Sequence, residues 1–498
     1  MLNKRPLPTW QLLPFLLLPW LSPYTAGPTP NVWPWLISAA CAVVLWLFRR
    51  GLSGELVAAG WVLAASLSAV IGLVQYFGLA PAFSPWISPT HAGDAFANLR
   101  QRNQFATLTS IGLAALLAWL ALAEKPGRLV GARPIPGWAS ALAVLLALGN
   151  AASGSRTGLL QWLLIPLLTA GWRQRRQLVL AGQALLAYGA AVFALPWLLG
   201  LVTGVQSGGL LGRLAEAPGC ASRKVLWANV LTLIGQKPWL GWGWGELDYA
   251  HFITPYSGPR FCDILDNAHN LPLHLAVELG IPAAVLICGG IGWLVWRAKP
   301  WRDTDPVRQM AWCVLAVIAL HSLLEYPLWY GPFQMAVGLC VGLLWVGRIL
   351  PHNFQPEFKP KRRVAHVLQA LAAMTMIAIL AAAALSYRQV SQIYLPPEQR
   401  SAAYQDDTLA KIRGNWLFHD QALFAELSMT PLTPGNAAQV HAMARELLHY
   451  SPEPRVIEKL IESAVMLGRE REALRYLARY RAAFPTEHAR WAAKNAHP

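Results

Sequence analysis

The chain has 498 residues, 55% of them hydrophobic, with a mean hydropathy of +0.36 and a formal charge of +16. Its apolar residues fall in runs of roughly 18–25, the length of a bilayer-spanning helix, which excludes an ordinary soluble enzyme. The charge does not call for nucleic acid, because Lys and Arg in the cytoplasmic loops of such a chain serve to fix topology.

Eleven spans are predicted, near 10–25, 31–48, 56–77, 103–123, 138–150, 157–172, 177–200, 271–296, 309–325, 332–350 and 364–387. The first run is Pro-rich, has no small-residue cleavage site and is followed by ten more, so it reads as a span and not as a cleaved leader. If Lys4 and Arg5 lie inside, alternate loops carry 19 basic residues against 8 on the other side. That asymmetry puts the N-terminus in the cytoplasm and the tail after the last span outside. The loops 78–102 and 201–270, the Gly154–Arg156 turn and the Glu325-Tyr326-Pro327 turn then all open on the outer face. The expected architecture is an all-α polytopic membrane protein: residues 1–387 form the transmembrane domain with its long outer loop 201–270, and residues 388–498 a helical domain outside. In that tail, the pattern from Ala464 to Pro485 resembles half of a tetratricopeptide repeat. A plain solvated helical tail is the competing reading.

Four cysteines, Cys41, Cys288, Cys313 and Cys340, fall inside apolar runs, where Cys behaves as a small hydrophobe. Cys220 and Cys262 share the long loop, and if that loop is outside the cytoplasm a disulfide between them is expected.

Three basic clusters on the outer face have no topological reason to be there. Arg100 and Arg102 open the fourth span, where two guanidinium forks and free backbone N–H groups suit phosphate; snorkelling of interfacial Arg is the bland alternative. Ser153-Gly154-Ser155-Arg156-Thr157-Gly158 combines small residues, which admit a ligand close to the backbone, with a cation. Arg223 and Lys224 open a third segment, which runs on to Trp239-Leu240-Gly241-Trp242-Gly243-Trp244-Gly245. Those Trp residues suit sugar stacking and an interfacial belt equally well. For a metal, the carboxylate pairs Asp263/Asp266 and Glu246/Asp248 are unconvincing, so an arginine-based, metal-free anion site is expected.

His269, in Asp266-Asn267-Ala268-His269-Asn270, stands where the long loop meets the eighth apolar run. A titratable ring at that boundary is either an interfacial anchor or an acid/base. A place in the first turn of a helix would favour its neutral form, which a base needs. His274 and Glu278, four apart, read as a structural pair.

Three segments resemble the PglL-type bacterial protein O-oligosaccharyltransferases, within the O-antigen ligase and polymerase superfamily. They are Asn98 through Thr107; Arg223 through Gly245 followed by Asp266 through Asn270; and His321 through Tyr330. The resemblance implies a GT-C-like membrane glycosyltransferase in the bacterial inner membrane, with its site and C-terminus periplasmic. It implies transfer of an oligosaccharide from undecaprenyl pyrophosphate to Ser or Thr hydroxyls of periplasmic or pilin proteins, without cofactor or nucleic acid. By the same motifs His269 is the required histidine, and Arg156 and Arg223 hold the pyrophosphate. Arg100, Arg102 and Lys224 are further pyrophosphate candidates. Gln161, His321, Glu325 and Tyr326 are site candidates without an assigned role. An O-antigen ligase or polymerase, with a sugar hydroxyl as acceptor, is the nearest rival. A transporter or flippase is a remote one, because no internal symmetry or midplane cluster is visible.

Overall fold

The computed structural model describes residues 9–22, 28, 30–123, 134–215, 219–349 and 362–495. Lys4, Arg5, Lys125, Arg128, Arg133, Lys359 and Lys361, which enter the charge count, lie outside the described residues, as do the far ends of the first and tenth predicted spans.

All regular structure among the described residues is helical. In chain order the helices are α1 (Leu13–Leu21), α2 (Trp33–Leu47), α3 (Gly54–Tyr76), α4 (Arg102–Leu122), α5 (Gly137–Ser153), α6 (Arg156–Gly171) and α7 (Arg175–Thr203). Then follow α8 (Gly209–Ala215), α9 (Arg223–Gln236), α10 (Leu247–Ile253), α11 (Leu271–Leu279), α12 (Ile281–Ala298), α13 (Pro306–Ser322), α14 (Gly331–Ile349) and α15 (Arg362–Ser391). The tail adds α16 (Thr408–Ile412), α17 (His419–Met429), α18 (Ala437–Leu447), α19 (Pro454–Met466), α20 (Glu470–Ala483) and α21 (Pro485–Asn495).

Five stretches are long and apolar enough to cross a membrane: α3, α4, α7, Ile281–Arg302 and Val367–Tyr394. Trp10–Leu21, Trp33–Leu47, Gly137–Ser153 and Gly331–Trp345 are apolar but shorter. The predicted span 271–296 is not one helix. It breaks at Gly280, whose φ of +88° lies outside helical space. Hydropathy reads straight through such a break because the residues on both sides are apolar.

The chain forms two compact units. The first comprises residues 1–25, 32–216 and 295–382, the second 26–31, 217–294 and 383–498, so α12 and α15 each contribute to both. In the first unit α4 is central, with every residue from Gln104 to Ala118 buried. A helix enclosed on all sides needs small residues to let its neighbours approach. At Gly112 an added Cβ would lie 2.3 Å from the Ala65 Cβ. The sequence supplies such residues along both faces: Ala106, Gly112, Ala114 and Ala115.

In the second unit, α18, α19 and α20 pack successively as antiparallel hairpins around Val440, Leu447, Ile457, Leu460 and Tyr480. The turn between α19 and α20 is made at Gly468, φ +69°. Phe252 of α10 enters that core. The opposite side of α10, Leu247 and Ala250, joins a separate core with Leu226, Phe261, Leu265 and Ala268. A short helix from the long loop thus couples the tail to the segment that leads into His269.

Candidate active site

In the first unit, one asparagine gathers three of the sequence clusters. Ser155 caps α6 by accepting from the Gly158 N–H at 2.9 Å, and its hydroxyl donates to Asn103 Oδ1 at 2.6 Å. Asn103 Nδ2 in turn donates to Glu325 Oε1 at 3.3 Å, while Gln101 Nε2 reaches Glu325 Oε2 at 3.4 Å. Glu325 is buried, so these amides meet a carboxylate that water does not serve. The cap makes Arg156 the first residue of α6. It is exposed and has no side-chain partner among the described residues, at a helix end that favours anions.

Further inside the bundle, His321 Nδ1 lies 2.9 Å from Thr107 Oγ1. Gln161 donates to Thr107 Oγ1 at 2.8 Å and to the Val317 carbonyl at 3.2 Å, and accepts from Ser110 Oγ at 3.0 Å. Gln161 and His321 are therefore polar ties among α4, α6 and α13, with no ring or amide left facing solvent. Tyr326 stacks on Tyr330 with centroids 5.9 Å apart.

Arg100 takes a left-handed conformation at the end of a 3-10 turn, φ +63°. Arg102 is ion-paired with Asp94 at 2.7 Å, so a carboxylate already neutralises it. Arg102 and Asp94 line a polar cavity of about 380 Å³, together with Ser153, Gly154 and Arg213; Arg100 is not in its lining. Asp94 and Arg213 escape sequence reasoning. The usable signals are a carboxylate eight residues before Arg102, and an Arg set among Gly208, Gly209 and Gly212.

In the second unit, His269 is not in the first turn of a helix. It precedes the cap residue Asn270, whose side chain accepts from the Leu273 N–H at 3.1 Å. His269 itself has φ +50°, and its N–H donates to Asn267 Oδ1 at 2.9 Å. The Asn267 side chain thus closes a turn just where the apolar pattern suggested helix. Trp227 Nε1 donates to the Ala268 carbonyl at 3.0 Å, tying this turn to α9. α9 begins at Arg223 and Lys224, one helical turn before Trp227. His274 and Glu278 pair at 3.4 Å inside α11, both buried.

A disulfide joins Cys220 to Cys262. In the same loop, burial pushes the Asp248 carboxyl up to about 7, with Asp266 and Glu246 adding repulsion against the Tyr249 N–H that favours its charge. Burial and then Arg260 push His251 down to about 3. Its ring is held between the Tyr256 hydroxyl at 2.8 Å and the Phe261 carbonyl at 3.1 Å.

The Gly–Trp segment serves backbone packing first. Trp242 N–H donates to the Val277 carbonyl at 2.8 Å, Gly243 N–H to Glu278 at 3.0 Å, and Ile281 N–H to Pro238 at 2.8 Å. Trp242 turns inward, bonding the Leu233 carbonyl with Lys237 4.0 Å above its ring. Trp239 and Trp244 remain exposed. Among the described residues, one set able to offer metal ligands is His419, Asp420 and Glu446; all three are exposed, and His419 already pairs with Glu446 at 3.1 Å.

Residues 95–121 match the family described as protein glycosylation ligase, residues 141–288 that described as O-antigen ligase, and residues 309–497 the C-terminal part of virulence factor membrane-bound polymerases. A general O-oligosaccharyltransferase of Acinetobacter baylyi is 27% identical over 287 residues, 56% of this chain and 48% of that protein. A ComP-specific O-oligosaccharyltransferase of the same organism is 27% identical over 280 residues, 55% of this chain and 47% of that protein. These matches make the chain similar to protein O-oligosaccharyltransferases, in segments and not over its whole length. It spans about half the length of the curated relatives it matches. The glycosylation-ligase match holds Asn103, the O-antigen ligase match holds Ser155, Arg156, Arg223 and His269, and the polymerase match holds Glu325.

Proposed function

We propose that the chain transfers an oligosaccharide en bloc from undecaprenyl pyrophosphate to Ser or Thr hydroxyls of periplasmic or pilin proteins, with inversion and without metal. The observation that carries this is the match of residues 95–121 to protein glycosylation ligases, on the segment whose Asn103 bonds both Ser155 and Glu325. Arg156, Arg223, Lys224 and Arg100 neutralise the pyrophosphate as the anomeric C–O bond breaks and the electron pair leaves with it. His269 takes the proton of the attacking hydroxyl. His269 stands on a loop just before the cap of α11, a position where a base can meet an incoming acceptor.

In this reading residues 1–387 are an eleven-span glycosyltransferase domain of the bacterial inner membrane. Its N-terminus is cytoplasmic, and the tetratricopeptide-like domain 388–498 is periplasmic. The Cys220–Cys262 disulfide supports an oxidising compartment for the long loop.

A second reading, ligation or polymerisation of O-antigen onto a sugar hydroxyl, draws on the matches at 141–288 and 309–497. The two separate in a host given this gene, a lipid-linked glycan and a candidate pilin. Protein transfer predicts a glycan mass on the pilin, lost in His269→Ala with membrane expression unchanged. Glycan on lipopolysaccharide core alone, or undiminished pilin glycosylation in that variant, overturns it.

A further inference from the structure

The cavity beside Arg102 has the wrong lining for a phosphate and the right one for a sugar. Its polar side chains are Asp94, Arg102, Ser153, Gln206, Ser207 and Arg213, the rest being largely glycine backbone. Asp94 puts a carboxylate in the wall, and its 2.7 Å pair with Arg102 neutralises that guanidinium, so the lining presents acceptors as well as the Arg213 cation. A phosphate dianion asks for donors only. A sugar hydroxyl donates and accepts at once, and the wall supplies both: guanidinium donors, carboxylate lone pairs, two hydroxyls and an amide. Arg213 is held over the cavity by the Gly154 carbonyl at 3.4 Å, and Gly154, at φ +58°, leaves its backbone bare there. The volume of about 380 Å³ lies at the small end of ligand sites.

We propose that this cavity is a saccharide subsite that takes a neutral pyranose, with ring hydroxyls bridging Asp94 and Arg102. It rests on the reading of the chain as a glycan-transferring enzyme, and it assigns Arg102 to the sugar and not to the pyrophosphate.

The test uses the full-length protein in lipid nanodiscs. Saturation-transfer NMR with methyl glycosides of glucose, galactose and N-acetylglucosamine reads sugar binding, and calorimetry with inorganic pyrophosphate reads anion binding. Wild type saturates at least one glycoside. Asp94→Asn and Gln206→Ala each weaken it about tenfold while pyrophosphate binding is kept, and Arg156→Ala shows the opposite pattern. Gln206→Ala, a loop truncation, guards against misfolding of the Asp94 variant. The proposal is overturned if no glycoside binds wild type, if both cavity variants bind glycoside normally, or if they lose pyrophosphate instead. A wild type that binds glycoside yet never glycosylates an acceptor sinks the transfer reading and leaves the subsite standing.

Discussion

Asn103 and Glu325 are 222 residues apart in the chain and meet at 3.3 Å in the first unit. The other end of the same amide takes the Ser155 hydroxyl at 2.6 Å, and Ser155 caps the helix that starts with Arg156. One side chain therefore sets the orientation of a carboxylate, a cap and, through the cap, a cation.

Replacing Asn103 by Leu keeps the volume and removes both bonds. The buried Glu325 carboxylate then loses one of its amide donors, a loss of about 1–3 kcal/mol. We expect a lower melting temperature in detergent and loss of pilin glycosylation by mass shift. Glu325→Gln, which keeps the shape and drops the charge, should retain more of both. A neutral outcome for Asn103→Leu would show that the amide positions nothing.

Gly280 and Gly241 pack backbone against backbone. A Cβ on Gly280 would stand 2.1 Å from the Trp239 carbonyl oxygen, and one on Gly241 2.3 Å from the Glu278 carbonyl. Neither obstacle is a flexible side chain. Gly280→Ala and Gly241→Ala should each cost several kcal/mol and abolish accumulation of folded protein. Trp239→Ala, at an exposed neighbour, should accumulate normally, and size-exclusion profiles of solubilised membranes compare the three.

The disulfide closes the chain between Cys220 and Cys262 over a separation of 42 residues. Its removal by Cys220→Ser should destabilise the second unit by about 2–4 kcal/mol, through the freedom returned to the unfolded loop. Cys41, Cys288, Cys313 and Cys340 are free, all but Cys288 buried, so non-reducing peptide mapping should find one bridged pair, 220 with 262. Melting curves with and without reductant give the size of the effect.

Asp248 and His251 make opposite contributions to pH dependence. The Asp248 carboxyl, raised to about 7, keeps a proton that the unfolded chain releases near 3.8; its contribution falls as pH rises across that window. His251, lowered to about 3, stays neutral while the unfolded ring protonates below 6.5; its contribution falls as pH drops across that window. From pH 4 to 6.5 the two contributions oppose and largely offset each other. Asp248→Asn should uncover a loss toward acid, and His251→Gln a loss toward neutrality, each at a limiting slope of about 1.4 kcal/mol per pH unit. Melting temperatures between pH 4 and 7 check the signs.

The helical class, the apolar character of several helices and the stretches that carry the family likeness were legible in the sequence, because they depend on composition and short contiguous motifs. Cys220 and Cys262 were legible too, as the pair that shares a polar loop. The break at Gly280 was not, since apolar residues flank it and only its φ and the approach of Trp239 distinguish it from helix. Nor was the conformation of His269, because the turn depends on which backbone N–H the Asn267 side chain accepts. Arg102 illustrates the same limit. By itself the sequence determined what this protein is made of: apolar helices, with cations and histidines in its polar loops. Only the tertiary structure decided which partners those groups have, pairing Arg102 with Asp94 and Asn103 with Glu325. Charge and polarity are properties of a residue, whereas the potential it presents depends on neighbours brought together by folding.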